Sequence, residues 1–229
     1  MKPLMLITGP VTTRSGYGSH TRDLVRSLMS MDKFDIHINS LRWGNTPMNA
    51  LDANNPDDRT ILDKIIVDGK LSRQPDIHIQ ISVPNEFSPM AKYNIGVTAG
   101  IENTAPRAEW IQGMNRMDMN IVPSKFTAET FNRCVFDKMQ DLPNGEKQKA
   151  GEIKNEKPIS VLFEGVDTDK YYPKDKYQVK KDDPILYDEL DKLIKEDFAY
   201  LHVGQWNKGG FGEDRKNIGV LIKSFLKAF

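Results

Sequence analysis

A single cysteine, Cys134, stands in 229 residues, so an internal disulfide is excluded and a reducing, cytoplasmic compartment is the expectation. Histidines number 4 and are scattered; with no cysteine or histidine cluster, a structural zinc site is not indicated and no metal is expected. Neither sign of charge is in excess, since Lys plus Arg and Asp plus Glu count 32 each. No global field exists to draw nucleic acid or an anionic membrane surface, and any bound anion needs a local site. Long apolar runs are missing as well. The first, over residues 4–7, is cut by Thr8, Gly9 and Pro10 well short of a signal peptide or a membrane span. The glycines that follow lack the G-x-G-x-x-G spacing, which disfavours a nucleotide-dependent oxidoreductase, and the absence of Gly-Lys-Ser/Thr there excludes a Walker loop.

What is present is a hydrophobic content of 38%, enough for a packed core. Short apolar runs alternate with segments of helical period, the pattern of α/β proteins with a Rossmann-like parallel sheet and helices on both faces. Strands are expected over residues 4–8, 35–39, 77–82, 95–99, 119–122, 159–163 and 200–203. Between them Leu24, Val25, Leu28 and Met31 recur at helical spacing, as do Ile61, Leu62, Ile65 and Ile66 after Asn55 and Pro56. Further helix starts are read at Pro106 and at Ser124, an N-cap candidate. Residues 141–157 are polar and read as a loop, 174–183 as an interdomain linker, and 185–194 as a short amphipathic helix.

Chemistry is concentrated at strand ends. In residues 9–20, Gly16, Tyr17 and Gly18 lie between a strand and a helix, where glycines admit a close ligand and a helix start favours an anion. Glu102 follows the strand over 95–99, a position from which a carboxylate can bind sugar hydroxyls or take a proton. Glu164 and Gly165 open the run Glu164-Gly165-Val166-Asp167-Thr168, with Pro173 beyond it. Gly204 precedes Arg215 and Lys216 at the start of a helix over 217–229, and two cations at a helix start suit a diphosphate leaving group. Leu221, Phe225 and Ala228 share one face of that helix.

Glu102 through Pro106 to Trp110, the Val122-Pro123-Ser124 strand end, the Gly165-Val166-Asp167-Thr168 run and the Gly204 to Lys216 spacing together resemble retaining GT-B nucleotide-sugar glycosyltransferases of the group 1 type. The resemblance implies an acceptor-side N-terminal domain over residues 1–172, a linker with a short helix over 173–197, and the first strand and helix of a second Rossmann-like donor domain over 198–229. It implies Glu102 as the catalytic residue. Gly16, Tyr17, Gly18, Glu164 and Gly165 become substrate-binding residues, and Gly204, Arg215 and Lys216 hold the donor diphosphate. The substrates implied are a nucleotide sugar and a hydroxyl acceptor, with no metal or other cofactor. Two departures stand out: the histidine many relatives carry near residues 97–100 is missing, and Gln205 stands where they have arginine. The family's second-domain loop with two glutamates eight residues apart would fall after Phe229, so the chain is expected to lack most of the donor domain and to be weakly active or inactive alone. The alternative is a non-catalytic glycan- or protein-binding module that self-associates, or joins a second polypeptide, through Leu221, Phe225 and Phe229.

Overall fold

Every residue of Leu4–Gly9 (β1) is buried, which a strand sustains only at the centre of a sheet covered on both faces. The computed structural model of the chain describes residues 2–67, 71–100, 104–143, 145–169, 171–196, 198–204, 206, 209–214 and 216–229. It divides into two units, Met1–Gly165 and Val166–Phe229. In the first unit β1 is flanked by Asp35–Ser40 (β2) and Ile77–Ile81 (β3), and the sheet continues through Tyr93–Val97 (β4), Met119–Val122 (β5) and Ile159–Val161 (β8), after a separate hairpin of Phe136–Asp141 (β6) and Lys147–Ile153 (β7). The order is β2-β1-β3-β4-β5-β8 with every pair parallel. Ile65 adds a parallel bridge to Ile38 on the free edge of β2. The chain thus runs outward from β1 through β2 to Ile65, then crosses to β3 on the other side of β1. That reversal is the topological switch point of an open, Rossmann-like α/β sheet, and the crevice beyond the carboxyl ends of β1 and β3 is where such sheets receive ligands.

Alternation along the strands divides the core in two. Met5, Ile7, Ile36, Ile38, Ile79, Ile81 and Val97 pack with Val25 of helix Gly16–Ser30 (α1) and Ile61 of helix Pro56–Leu62 (α2). The opposite face packs Val122 and Phe87 with Ile111 and Met114 of helix Ala108–Asn115 (α3) and Phe131 of helix Lys125–Arg133 (α4). This second face also carries buried polar side chains, and its amides are tied to backbone. Gln80 accepts from Ser88 N at 2.8 Å and donates to Glu86 O at 2.8 Å. Asn94 accepts from Met90 N and Ala91 N at 2.8 and 2.9 Å, and Asn120 donates to Met114 O at 3.0 Å. These amides fasten the crossovers to the sheet by pairing backbone groups that burial would otherwise leave unmatched. A Cβ on Gly113 would meet Pro84 O at 1.8 Å, so α3 lies directly on the 3-10 turn Pro84–Glu86.

Several expectations change in this unit. Helix α2 ends at Leu62, so Ile65, read at helical spacing, is instead bridged to Ile38, and the strands expected to reach 99 and 163 end at Val97 and Val161. The fourth strand begins at Tyr93 rather than 95 because Asp118 accepts from Asn94 N at 2.8 Å and fixes a polar strand start. The expected loop over 141–157 lies largely in an antiparallel hairpin of Phe136–Asp141 (β6) and Lys147–Ile153 (β7), with a register shift at Lys138/Met139. Its strands are exposed on both faces apart from Phe136, Gly151 and Ile153, so no hydrophobic alternation announced it.

The second unit contains helices Lys176–Asp182 (α5), Pro184–Leu193 (α6) and Ile218–Ala228 (α7). The stretch read as a linker over 174–183 therefore carries α5, started by Asp175, which accepts from Gln178 N at 2.8 Å. Residues 200–203, expected as a strand, form none; they are exposed, and Tyr200 instead meets the rings of Phe198, Phe225 and Phe229. Among the described residues no helix is long and apolar enough to cross a membrane, and no group of three or more His, Cys, Asp or Glu is placed to hold a metal.

Candidate functional site

The loop between β1 and α1 is built from its own hydrogen bonds. Thr13 donates to Pro10 O at 2.9 Å, and Ser15 caps α1 by accepting from Gly18 N at 3.0 Å. Arg22 turns back to donate to Val11 O and Thr13 O, both at 2.9 Å; its burial lowers the pKa of its guanidinium. The loop after β2 is stitched alongside, with Arg14 N donating to Pro47 O at 2.9 Å, Ala50 N to Thr12 O at 3.0 Å and Arg14 Nε to Asn49 Oδ1 at 2.9 Å. Both loops are therefore fixed before any ligand arrives.

Tyr17 joins three loops at this rim. Its hydroxyl lies 3.0 Å from Thr98 Oγ1 and accepts from Ala99 N at 3.1 Å, at the end of β4. Its ring stacks on Trp43 of the β2 loop with centroids 4.2 Å apart and planes at 28°. Burial is the main reason the Tyr17 pKa is raised, and the carboxylates of Glu164 and Glu86 push it further the same way. The phenol stays protonated at neutral pH. One turn along α1, His20 Nδ1 lies 3.8 Å from Glu164 Oε1, beyond hydrogen-bond length. The crevice at the switch point is thus an aromatic and acidic rim made by the ends of β1, β2, β4 and β8.

The sequence-predicted residues fall differently. Tyr17 and Glu164 come together here. Gly16 is exposed with open space where a Cβ would stand, whereas a Cβ on Gly18 would meet Thr13 O at 2.3 Å. Gly18 is therefore required by the packing of the loop rather than by access to a ligand. Gly165 is exposed, with nothing within 4 Å of a Cβ position. Glu102 and Arg215 lie outside the described residues, as does Gln205. In the second unit Gly204 and Lys216 are exposed, and no strand leads into Gly204. The start of α7 is taken by a carboxylate: Asp214, 3% exposed, accepts from Lys216 N at 3.1 Å and Ile218 N at 3.4 Å. Sequence reasoning passed over Trp43, Glu86 and Asp214. An isolated tryptophan in a polar loop just after a strand, ahead of Gly44 and Asn45, was the available signal for the first.

The rim is distinct from a surface hollow of about 430 Å³ lined by Lys2, Asp32, Phe34, Ile36 and Lys64 among others. That hollow is at the amino ends of β1 and β2, away from the switch-point crevice. Comparison with protein-family models, with curated proteins and with solved structures returns no match.

Proposed function

We propose that the chain serves glycosyl transfer of the GT-B type, with the acceptor side built by its first unit. In the reaction an acceptor hydroxyl oxygen bonds to the anomeric carbon of a nucleotide sugar. The anomeric bond to the diphosphate breaks, the nucleoside diphosphate leaves, and the hydroxyl proton is released, with net retention at the anomeric centre. Glu102 acts on the acceptor or the sugar; Tyr17, Glu164 and the Gly16–Gly18 turn shape the acceptor side; Arg215, Lys216 and the Gly204 loop neutralise the diphosphate. The observation that carries this reading is the convergence of Tyr17 and Glu164 at the carboxyl-edge switch point, together with the motif order along the chain.

One observation favours a second reading, a glycan- or protein-binding module without catalysis. The Asp214 carboxylate occupies the helix start where a diphosphate would need free N–H groups, and an anion there would face repulsion rather than a positive end. Saturation-transfer NMR with UDP-, GDP- and ADP-sugars and with neutral glycans separates the two. Binding of a nucleotide sugar, with any slow acceptor-dependent release of nucleoside diphosphate lost in Glu102→Gln, supports transfer. Glycan binding with no nucleotide binding transfers the support to the module, and binding of neither class removes both sugar transfer and glycan binding.

A further inference from the structure

We infer that the rim takes a neutral pyranose as its hydroxyl acceptor, stacked on the indole of Trp43, with its hydroxyl groups directed to Glu164 and Glu86. The inference rests on the glycosyl-transfer reading and adds the acceptor's chemical class, which that reading leaves open. Trp43 is held ready. Tyr17 backs one side of its ring, and Tyr17 is itself pinned by Thr98 and Ala99 at the end of β4. The carbonyl of Trp43 accepts from Thr46 N at 3.1 Å and from Thr46 Oγ1 at 2.6 Å, around Gly44 in the left-handed region with φ 52°. A fixed, partly exposed indole offers a flat face with negative quadrupole potential. The C–H groups of a pyranose ring, weakly positive, are the natural complement to such a face.

Charge narrows the class further. Among the described residues, the carboxylates of Glu164 and Glu86, both exposed, bear on the Tyr17 hydroxyl. Carboxylates accept hydrogen bonds from sugar hydroxyls and repel phosphate, sulfate or uronate groups. Arg14 and Arg22, which belong to the same loop and helix, are turned to Asn49 and to the carbonyls of Val11 and Thr13. Arg42, exposed and next to Trp43 in the chain, is the basic neighbour that would speak for an anionic sugar.

The test is a glycan array carrying neutral, uronate-containing, sulfated and phosphorylated oligosaccharides, probed with the full chain and with Trp43→Ala, Trp43→Phe and Glu164→Gln. Neutral glycans should bind. Trp43→Ala should weaken them by at least about tenfold, the size of a lost stacking contact, while Trp43→Phe retains most of the affinity. A second readout needs no alanine variant. The indole N–H resonance that disappears in Trp43→Phe should shift when the neutral glycan is titrated into the wild-type chain. Preference for anionic glycans, neutral binding indifferent to Trp43 and without that shift, or no glycan binding would each overturn the inference. Loss of nucleotide-sugar binding with glycan binding intact would strike the transferase reading instead.

Discussion

Gly16 and Gly18 sit two residues apart at the start of α1 and answer to different forces. A methyl on Gly16 meets nothing within 4 Å, and alanine restricts the unfolded chain more than glycine does, so Gly16→Ala should leave stability unchanged or raise it by up to about 1 kcal/mol. On Gly18 the methyl would press on Thr13 O at 2.3 Å and Thr13 Oγ1 at 2.7 Å, in a loop already locked by hydrogen bonds. Gly18→Ala should cost about 1–3 kcal/mol. Urea unfolding of both variants measures the contrast, and equal losses would contradict the packing role assigned to Gly18. Tyr17→Phe removes the hydroxyl that meets Thr98 and Ala99 while keeping the stack on Trp43. The Ala99 N–H then loses its acceptor, and a loss of about 1–2 kcal/mol is expected in the same assay. The His20–Glu164 approach, at 3.8 Å with Glu164 half exposed, should contribute little to stability.

At the scale of elements, the β6–β7 hairpin contributes Phe136 and Ile153 to the core margin, and these two residues are register partners at its base. Beyond them the strands are mostly exposed, and their ion pairs, such as Lys149 with Asp137 at 2.6 Å, are surface contacts of small value. Replacing residues 137–152 with a short Asn-Gly turn should therefore keep the first unit folded, with a melting temperature changed by only a few degrees. A collapse of cooperative unfolding would show that the hairpin is integral to the core. The same hairpin marks a limit on what the sequence discloses. A strand buried on both faces, such as 4–8, announces itself as an apolar run, and its observed ends lie within a residue of the expected ones. A ribbon that is wet on both sides has no periodicity to read. Tyr93 and Asn94 were missed for a related reason: their place in β4 is secured by Asp118, distant in sequence. The rim was half legible, because Tyr17 and Glu164 lie in recognisable turns, whereas Trp43 acquires a role only when the sheet brings its loop onto Tyr17. Asp214 looked like one charge among several until its carboxylate was seen at the start of α7.

For the whole first unit, the polar face of the sheet sets a pH limit through His78. The side chain is 0% exposed, Nε2 lies 2.9 Å from Thr8 Oγ1, and Nδ1 has no hydrogen-bond partner among the described residues. Burial drives its pKa down from 6.5 to about 4, with the Asn94 side chain pulling the other way. In the unfolded chain His78 takes up a proton as pH falls through 6.5; in the folded unit it stays neutral until about 4. The unfolded state therefore binds more protons throughout that window, and stability falls as pH falls across it, by about 3 kcal/mol in total. Carboxylates held below their usual range, such as Asp76 beside Lys92, Leu4 N and Arg73, lose their contribution only at lower pH, so the two effects separate. Urea midpoints followed from pH 7.5 to 4.5 should slope downward in the wild-type chain, and the slope should flatten in His78→Gln. A slope unchanged in that variant would place the acid sensitivity elsewhere and remove His78 from the account of the polar face.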